Sequence, residues 1–330
     1  MGIDVISERQ VGLVSNESRA NARRRTSLFG DRLLRAATLC GALFLLLVVA
    51  GMAIMLIHGA STALGHFGPS FLGSQSWDPV RERFGALPSL LGTILSAGLA
   101  LLLAVPLSLG IAMFLTELAP AWLARPVAAA VEVLAAIPSI IYGMWGLFVL
   151  APAIASHLQP LLSRHLGWLP LFQGPPMGIG MMTAAIVLAL MVVPYIAAVA
   201  RDLFTMVPPS IKEAASGVGA TRWEVMWHVV IPFTRSGLVG AIVLGLGRAL
   251  GETMAVTFVI GNSHHISASL YKPSNTIAST LANEFTEATG GLYVSSLIAL
   301  ALVLFLLTFV ILAIGRILVS RTALQGERAT

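Results

Sequence analysis

Six long stretches of the chain carry almost no charge: Ala36–Ile57, Leu90–Leu115, Val127–Leu150, Ile179–Ala200, Leu238–Ile260 and Leu292–Ile314. A helix rises about 1.5 Å per residue, so about 20 apolar residues match a hydrocarbon layer about 30 Å thick. Only helices and closed barrels satisfy their own backbone in such a layer, and a barrel strand needs about 9 to 11 residues. The expected fold class is therefore all-α, a polytopic membrane helix bundle with six transmembrane helices. Composition agrees, with 57% hydrophobic and 11% charged residues, against about a quarter charged in soluble domains.

The basic stretch before the first run (Arg23, Arg24, Arg25, Arg32, Arg35) resembles a secretory leader. The run itself is longer than the roughly 7 to 15 residues of a signal core, so it reads as a retained first span. Cys40 is the single cysteine, which rules out a disulfide framework or a cysteine metal site within the chain. The expected organisation is a mobile basic tail over residues 1–35 that touches anionic lipid headgroups, a first span over 36–58, an outer loop over 59–89, a core over 90–320 and a short tail over 321–330. No internal repeat is visible.

Of the 20 Lys and Arg residues, Arg81, Arg83, Arg164 and Lys272 fall in loops on one side, Arg248 falls within a span, and the other fifteen fall on the remaining side. That bias places both termini in the cytoplasm. It also accounts for the net charge of +5 without nucleic acid as a partner.

One passage breaks the pattern. Glu213 to Pro232, EAASGVGATRWEVMWHVVIP, is polar and glycine-broken, and it lies between two spans on the cytoplasmic side. Ser210 with Glu213 and Thr221 with Glu224 each have capping-box spacing, in which a hydroxyl and a carboxylate satisfy the free N–H groups of a helix start. Gly217 and Gly219 suit a left-handed helix end, and Pro232 is expected to stop the second helix. The result is two short helices with a sharp corner, the second presenting Trp223, Met226 and Trp227. Such helices need a surface to pack against. That surface is either the ends of the chain's own spans or a groove on a soluble partner.

Glu213-Ala214-Ala215, then Gly219 after three residues, then Val229-Val230-Ile231-Pro232 after nine, resembles the EAA loop of ABC importer permeases. The resemblance implies the type I importer permease (MetI-like) fold and a coupling loop over 208–232 that docks into an ATP-hydrolysing subunit through Glu213, Ala214, Ala215, Gly219 and Pro232. The helix-start position of Glu213 also suits a cap with no partner at all.

Further on, LGLGRALGETMAVTFVIGN places Arg248 and Glu252 inside an apolar span, with Arg248 about 15 Å beyond a span start at Leu238. A charge at that depth costs about 2.5 to 3.5 kcal/mol. Residues i and i+4 share a helix face, so the two could offset this by pairing with each other. The other reading is a polar path in which the guanidinium meets an oxyanion through its planar donors.

GRALGETMAVT followed by Gly261-Asn262 is similar to the phosphate branch of these permeases, of the PstC type. FLGSQSWDPVRERFGALPSLLGTILSA (Phe71–Ala97), LAAIPSIIYGMWGLFVLAP (Leu134–Pro152) and TIASTLANEFTEA (Thr276–Ala288) carry the same likeness. It implies phosphate import across the bacterial cytoplasmic (inner) membrane, with Arg248 and Glu252 as the transport-critical pair. The implied partners are a second, PstA-like permease, a homodimeric PstB-like ATPase and an external PstS-like phosphate-binding protein. The N-terminal tail carries no part of this resemblance, and nothing is carried over to it.

No cofactor is expected in this chain, because a P-loop needs Gly-Lys-Ser/Thr and the two lysines, Lys212 and Lys272, are followed by Glu213 and Pro273. ATP and Mg would bind the partner, and the chain is read as a transporter subunit, not an enzyme. No HExxH occurs, and His264-His265 reads as a polar loop patch more than a metal site. Glu117 reads as snorkelling or making an interface contact at a span end, and Glu132 as bonded to a neighbouring helix. Other oxyanions (phosphonate, sulfate or molybdate) stay open as substrates, as does a passive channel or receptor.

Overall fold

The computed structural model describes the backbone over residues 4–327 and side chains over residues 30–321. The expected mobile tail over the first residues lies outside the described side chains. Among the described residues the chain is helical, and its only β feature is an isolated bridge between Asp78 and Arg83.

Six helices are long and apolar enough to span a membrane: Gly30–Phe67, Leu87–Leu118, Ser139–Leu166, Met181–Thr205, Arg222–Leu250 and Gly291–Arg321. We number the helices α1 (Asp4–Phe67), α2 (Leu87–Leu118), α3 (Ala121–Ala136), α4 (Ser139–Leu166), α5 (Met181–Thr205), α6 (Pro209–Gly217), α7 (Arg222–Leu250), α8 (Met254–Ile260), α9 (Ile277–Glu284) and α10 (Gly291–Glu327). The chain divides into two compact units, Met1–His58 and Gly59–Thr330. In the second, the end of α1 is fastened to α10: Ser295 Oγ donates to the Gly59 carbonyl at 2.7 Å and accepts from the Ala63 N–H at 2.9 Å. The helix continues to Phe67, so the loop expected from residue 59 begins later.

The centre of the larger unit is α5, buried on most of its faces. Its most extensive partner is α2. On α2, Ala97, Ala100, Leu101, Ala104, Ser108 and Ala112 are buried and fall on one helical face. Lipid offers no hydrophobic drive between helices, so small residues that allow close approach and polar groups that bond across hold the pair. Ser108 supplies the second device, with its hydroxyl against the Val193 carbonyl of α5 at 3.1 Å.

The third expected span is displaced. Val127–Leu150 is not one helix: the chain turns extended at Ile137 and Pro138, where ψ is 129° and 140°, and the spanning helix is Ser139–Leu166. Proline lacks an N–H and clashes with the preceding turn, so the break falls where the sequence puts Pro138. The loop expected from Ala155 is consequently helical as far as Leu166.

Other prolines do not break their helices. Pro152, Pro160 and Pro232 each follow a five-residue π-turn, at Gly146–Leu150, Ile154–Leu158 and Met226–Val230. In each the next N–H bonds five residues back, from Ala151 to Gly146, Gln159 to Ile154 and Ile231 to Met226. The widened turn relieves the ring's clash with the carbonyl four residues earlier.

Candidate functional site

Two interruptions of the helical chain hold the residues singled out by sequence. The first is the corner between α5 and α7. Here α6 is capped by Pro208 with no side-chain bond, so the Ser210–Glu213 capping box is not formed and Glu213 stays exposed. The reason is local: the helix starts at Pro209, whose fixed φ suits the first helical position, so Ser210 lies inside the first turn and not at the cap. The second capping box is present, with the Thr221 N–H bonded to Glu224 Oε2 at 2.8 Å and the Glu224 N–H bonded to Thr221 Oγ1 at 3.3 Å.

Gly219 takes φ 96°, a left-handed conformation that costs any residue with a Cβ, whereas Gly217 ends α6 without it. Pro232 is not a stop. The π-turn before it carries the helix through, so the second arm of the corner is the beginning of the spanning helix α7. Of the three apolar residues on that arm, Met226 is buried while Trp223 and Trp227 stay exposed, their rings edge to face at 5.6 Å.

The corner sits on an apolar seat. Phe204 and Val207 at the end of α5, Ala112 of α2 and Val225, Met226 and Val230 of α7 form one buried cluster, with Ala215 and Ala220 packed against it. Thus the second Ala of the Glu-Ala-Ala string faces the bundle, while Glu213 and Ala214 face outward. Lys212 joins the corner to the bundle: its Nζ lies 2.5 Å from Glu117 Oε1 at the end of α2. Glu132 likewise finds a partner, Arg201 of α5, at 3.0 Å. Both glutamates are thus interhelical, as expected for Glu132; of the two readings of Glu117, the interface contact holds and the snorkelling does not.

The second interruption lies between α7 and α8. The helix stops at Leu250, and Gly251 and Thr253 leave it, Thr253 with φ −107°. Arg248 is in the last turn and Glu252 lies beyond the end, so the i, i+4 pairing suggested by their spacing is unavailable. Glu252 Oε1 instead accepts from the Ala255 N–H at 3.3 Å, satisfying a free donor at the start of α8. Among the described residues Arg248 has no hydrogen bond or ion pair, and it is exposed, immediately before two buried residues, Ala249 and Leu250. The helix that follows it, α8, packs against α4, where Ala255 lies beside Gly143. Tyr142 lies one turn past the Pro138 break, beside an apolar cavity of about 380 Å³ lined by Leu134, Ile141, Trp145 and Leu190. A lone guanidinium therefore sits in the last turn before one helix break, and the helix beyond that break packs on the one that begins at the other; such irregular backbone is tolerated in a bundle when it is buried in protein or lines a cavity.

A third polar group, at the opposite end of the bundle from the corner, was not foreseen. Glu284 accepts from Trp77 Nε1 at 2.7 Å and Tyr293 Oη at 2.7 Å, and lies 2.9 Å from His264 Nε2. His264 stacks on Trp77, with centroids at 5.2 Å, and its Nδ1 lies 2.7 Å from the Asn275 amide. Burial pushes the Glu284 carboxyl upward, but the bonds from His264, Tyr293 and Trp77 outweigh it and hold the group below the usual carboxylate range. These partners are up to 207 residues apart, so no local signal announces them. Among the described residues no cluster of His, Cys, Asp or Glu suits a metal ion.

The family described as "Binding-protein-dependent transport system inner membrane component" matches residues 104–324. "Phosphate transport system permease protein PstC" of Mesorhizobium japonicum is 52% identical over 316 residues, 94% of this chain and 97% of the relative. The protein of the same description from Pasteurella multocida is 52% identical over 94% of this chain and 98% of its own length. Among solved structures, a bacterial ABC transporter for the import of the acidic polysaccharide alginate matches with TM-score 0.57 at 17% identity, covering 91% of this chain and 99% of that one. The inward-facing MetNI methionine ABC transporter matches with TM-score 0.54 at 18% identity, covering 75% and 99%. These last two establish a shared fold. The chain belongs to the binding-protein-dependent transport system inner membrane components, in the branch of the PstC permeases: a multi-pass inner-membrane subunit of an ABC importer that works with separate ATPase and substrate-binding partners, and not an enzyme.

Proposed function

We propose that this permease moves inorganic phosphate inward as one half of a pair with a PstA-like subunit. A PstB-like ATPase dimer binds ATP and Mg and seats on the corner, and a PstS-like protein delivers phosphate at the opposite end. In this reading both termini are cytoplasmic, as the distribution of basic residues favours. Glu213, Ala214, Ala215, Gly219 and Pro232 belong to the coupling loop. Alternating access follows from tilting of the spans when the ATPases close.

The observation that carries the substrate is the lone Arg248 beside a helix break, in a chain 52% identical to phosphate permeases along nearly its whole length. An unpaired guanidinium presents a planar fork of donors that suits a tetrahedral oxyanion. A single such contact holds the anion loosely enough for release, unlike a closed multidentate pocket. Glu252, bonded to the start of α8, holds the broken turn beside it.

The test is uptake of radiolabelled phosphate by cells whose only importer contains this chain, with phosphonate, sulfate and molybdate as competitors. Phosphate alone should compete. Arg248→Gln should abolish uptake while the complex still assembles in the membrane. Normal uptake by that variant removes the anion path, and competition by another oxyanion reassigns the substrate.

A further inference from the structure

The turn that ends α2, Phe114–Leu118, receives a bond from each arm of the corner. Lys212 of α6 approaches Glu117 Oε1 at 2.5 Å, and Arg222 at the start of α7 donates from Nη1 to the Glu117 carbonyl at 3.1 Å. Lys212 Nζ also donates to the Phe204 carbonyl in the last turn of α5, at 3.2 Å. Both Lys212 and Glu117 are about four-fifths buried, with side chains 20% and 21% exposed. An ion pair in that position is far less screened than a surface pair, and removing one partner leaves the other desolvated and unpaired.

We infer that Lys212 and Glu117 are positioning residues for coupling: they form a strut that makes α6, the turn ending α2 and the end of α5 move as one body when the corner is displaced. The inference rests on the reading of the corner as the ATPase seat. Two observations separate the strut from mere stabilisation. The apolar seat beneath the corner, which includes Val225, Met226, Val230 and Phe204, is built without either member of the pair. The strut is also the side-chain bond between α6 and α2, and Glu213 and Ala214, one residue along, remain free for a partner. Without it, α6 can follow the ATPase while α2 stays behind.

The experiment uses the whole complex reconstituted in lipid vesicles with its binding protein, measuring phosphate taken up per ATP hydrolysed. Lys212→Met and Glu117→Gln should each lower that ratio by about fivefold or more. Hydrolysis should continue and the ATPase should remain bound. Lys212→Arg, which keeps charge and donors, should restore most of the ratio. An unchanged ratio in both neutral variants overturns the strut. Failure of both to assemble also overturns it, because the pair is then structural. If the unaltered complex shows no ATP-dependent phosphate uptake, the functional reading has failed instead, whatever the variants do.

Discussion

The two ends of the bundle use polar side chains in opposite ways. At the corner, long flexible cations reach over an apolar seat, and Glu213, Trp223 and Trp227 are left exposed. At the far end the polar atoms are packed inside: Ser89, Thr93, Asn275, Thr276, Ser279 and Thr280 are all buried and bonded to one another or to backbone. Glu284, His264, Trp77 and Tyr293 close the group from above. A dense network of buried, mutually bonded groups, in which Asn275 Oδ1 alone lacks a partner among the described residues, specifies one geometry, whereas a few long side chains on an apolar seat permit displacement. The far end therefore has the construction of a fixed rim and the corner that of a movable foot.

Changes at the rim should cost stability, and changes at the foot should cost coupling. The largest loss is expected from Gly92→Ala, because a Cβ there collides with the Asn275 carbonyl. Overpacking against backbone costs about 3 kcal/mol, read as a fall in the thermal midpoint of the purified complex. A smaller loss, about 2 kcal/mol, is expected from Glu284→Ala, which strands the donors of Trp77, Tyr293 and His264. The same carboxylate sets a pH dependence. Its folded pKa lies below the ordinary 4.5, so its contribution is complete above that value and disappears as pH falls through the depressed one. Stability measured from pH 6 downward should therefore fall less steeply in Glu284→Ala than in the unaltered chain; equal slopes would exclude the carboxylate as the source. The smallest change in stability, about 1 to 2 kcal/mol, is expected from Gly219→Val, where φ 96° penalises a branched side chain but open space surrounds it. That variant should nevertheless lose coupling between hydrolysis and uptake. If it couples normally, or if Glu284→Ala uncouples without destabilising, the division between rim and foot is wrong.

Much of the foot was legible because its signals are local. Thr221 and Glu224 three residues apart fix a capping box, and Gly219 fixes a left-handed turn. Where the local reading failed, a neighbouring residue had changed the terms: Pro209 displaced the cap expected of Ser210, and the π-turn at Met226–Val230 carried the helix through Pro232. Hydropathy located six spans yet misplaced the third and the fifth, because apolar content continues across Pro138 and past Leu250 while the helices do not. The i, i+4 spacing of Arg248 and Glu252 assumed a helix that ends at Leu250. The rim was illegible for a different reason. Its contacts join Trp77, His264, Glu284 and Tyr293 across four segments, and polar residues scattered through loops carry no periodicity from which a shared site can be read.

The π-turn before Pro232 has one more effect. It makes Arg222–Leu250 a single rod of 29 residues, with the corner at one tip and Arg248 near the other, separated by about 40 Å. Over that length a tilt of about 3° swings the guanidinium through about 2 Å. A proline that would have cut the chain into hinged pieces is thereby absorbed, and the molecule gains leverage: small rotations where it is pushed become ångström-scale travel where its lone charge sits.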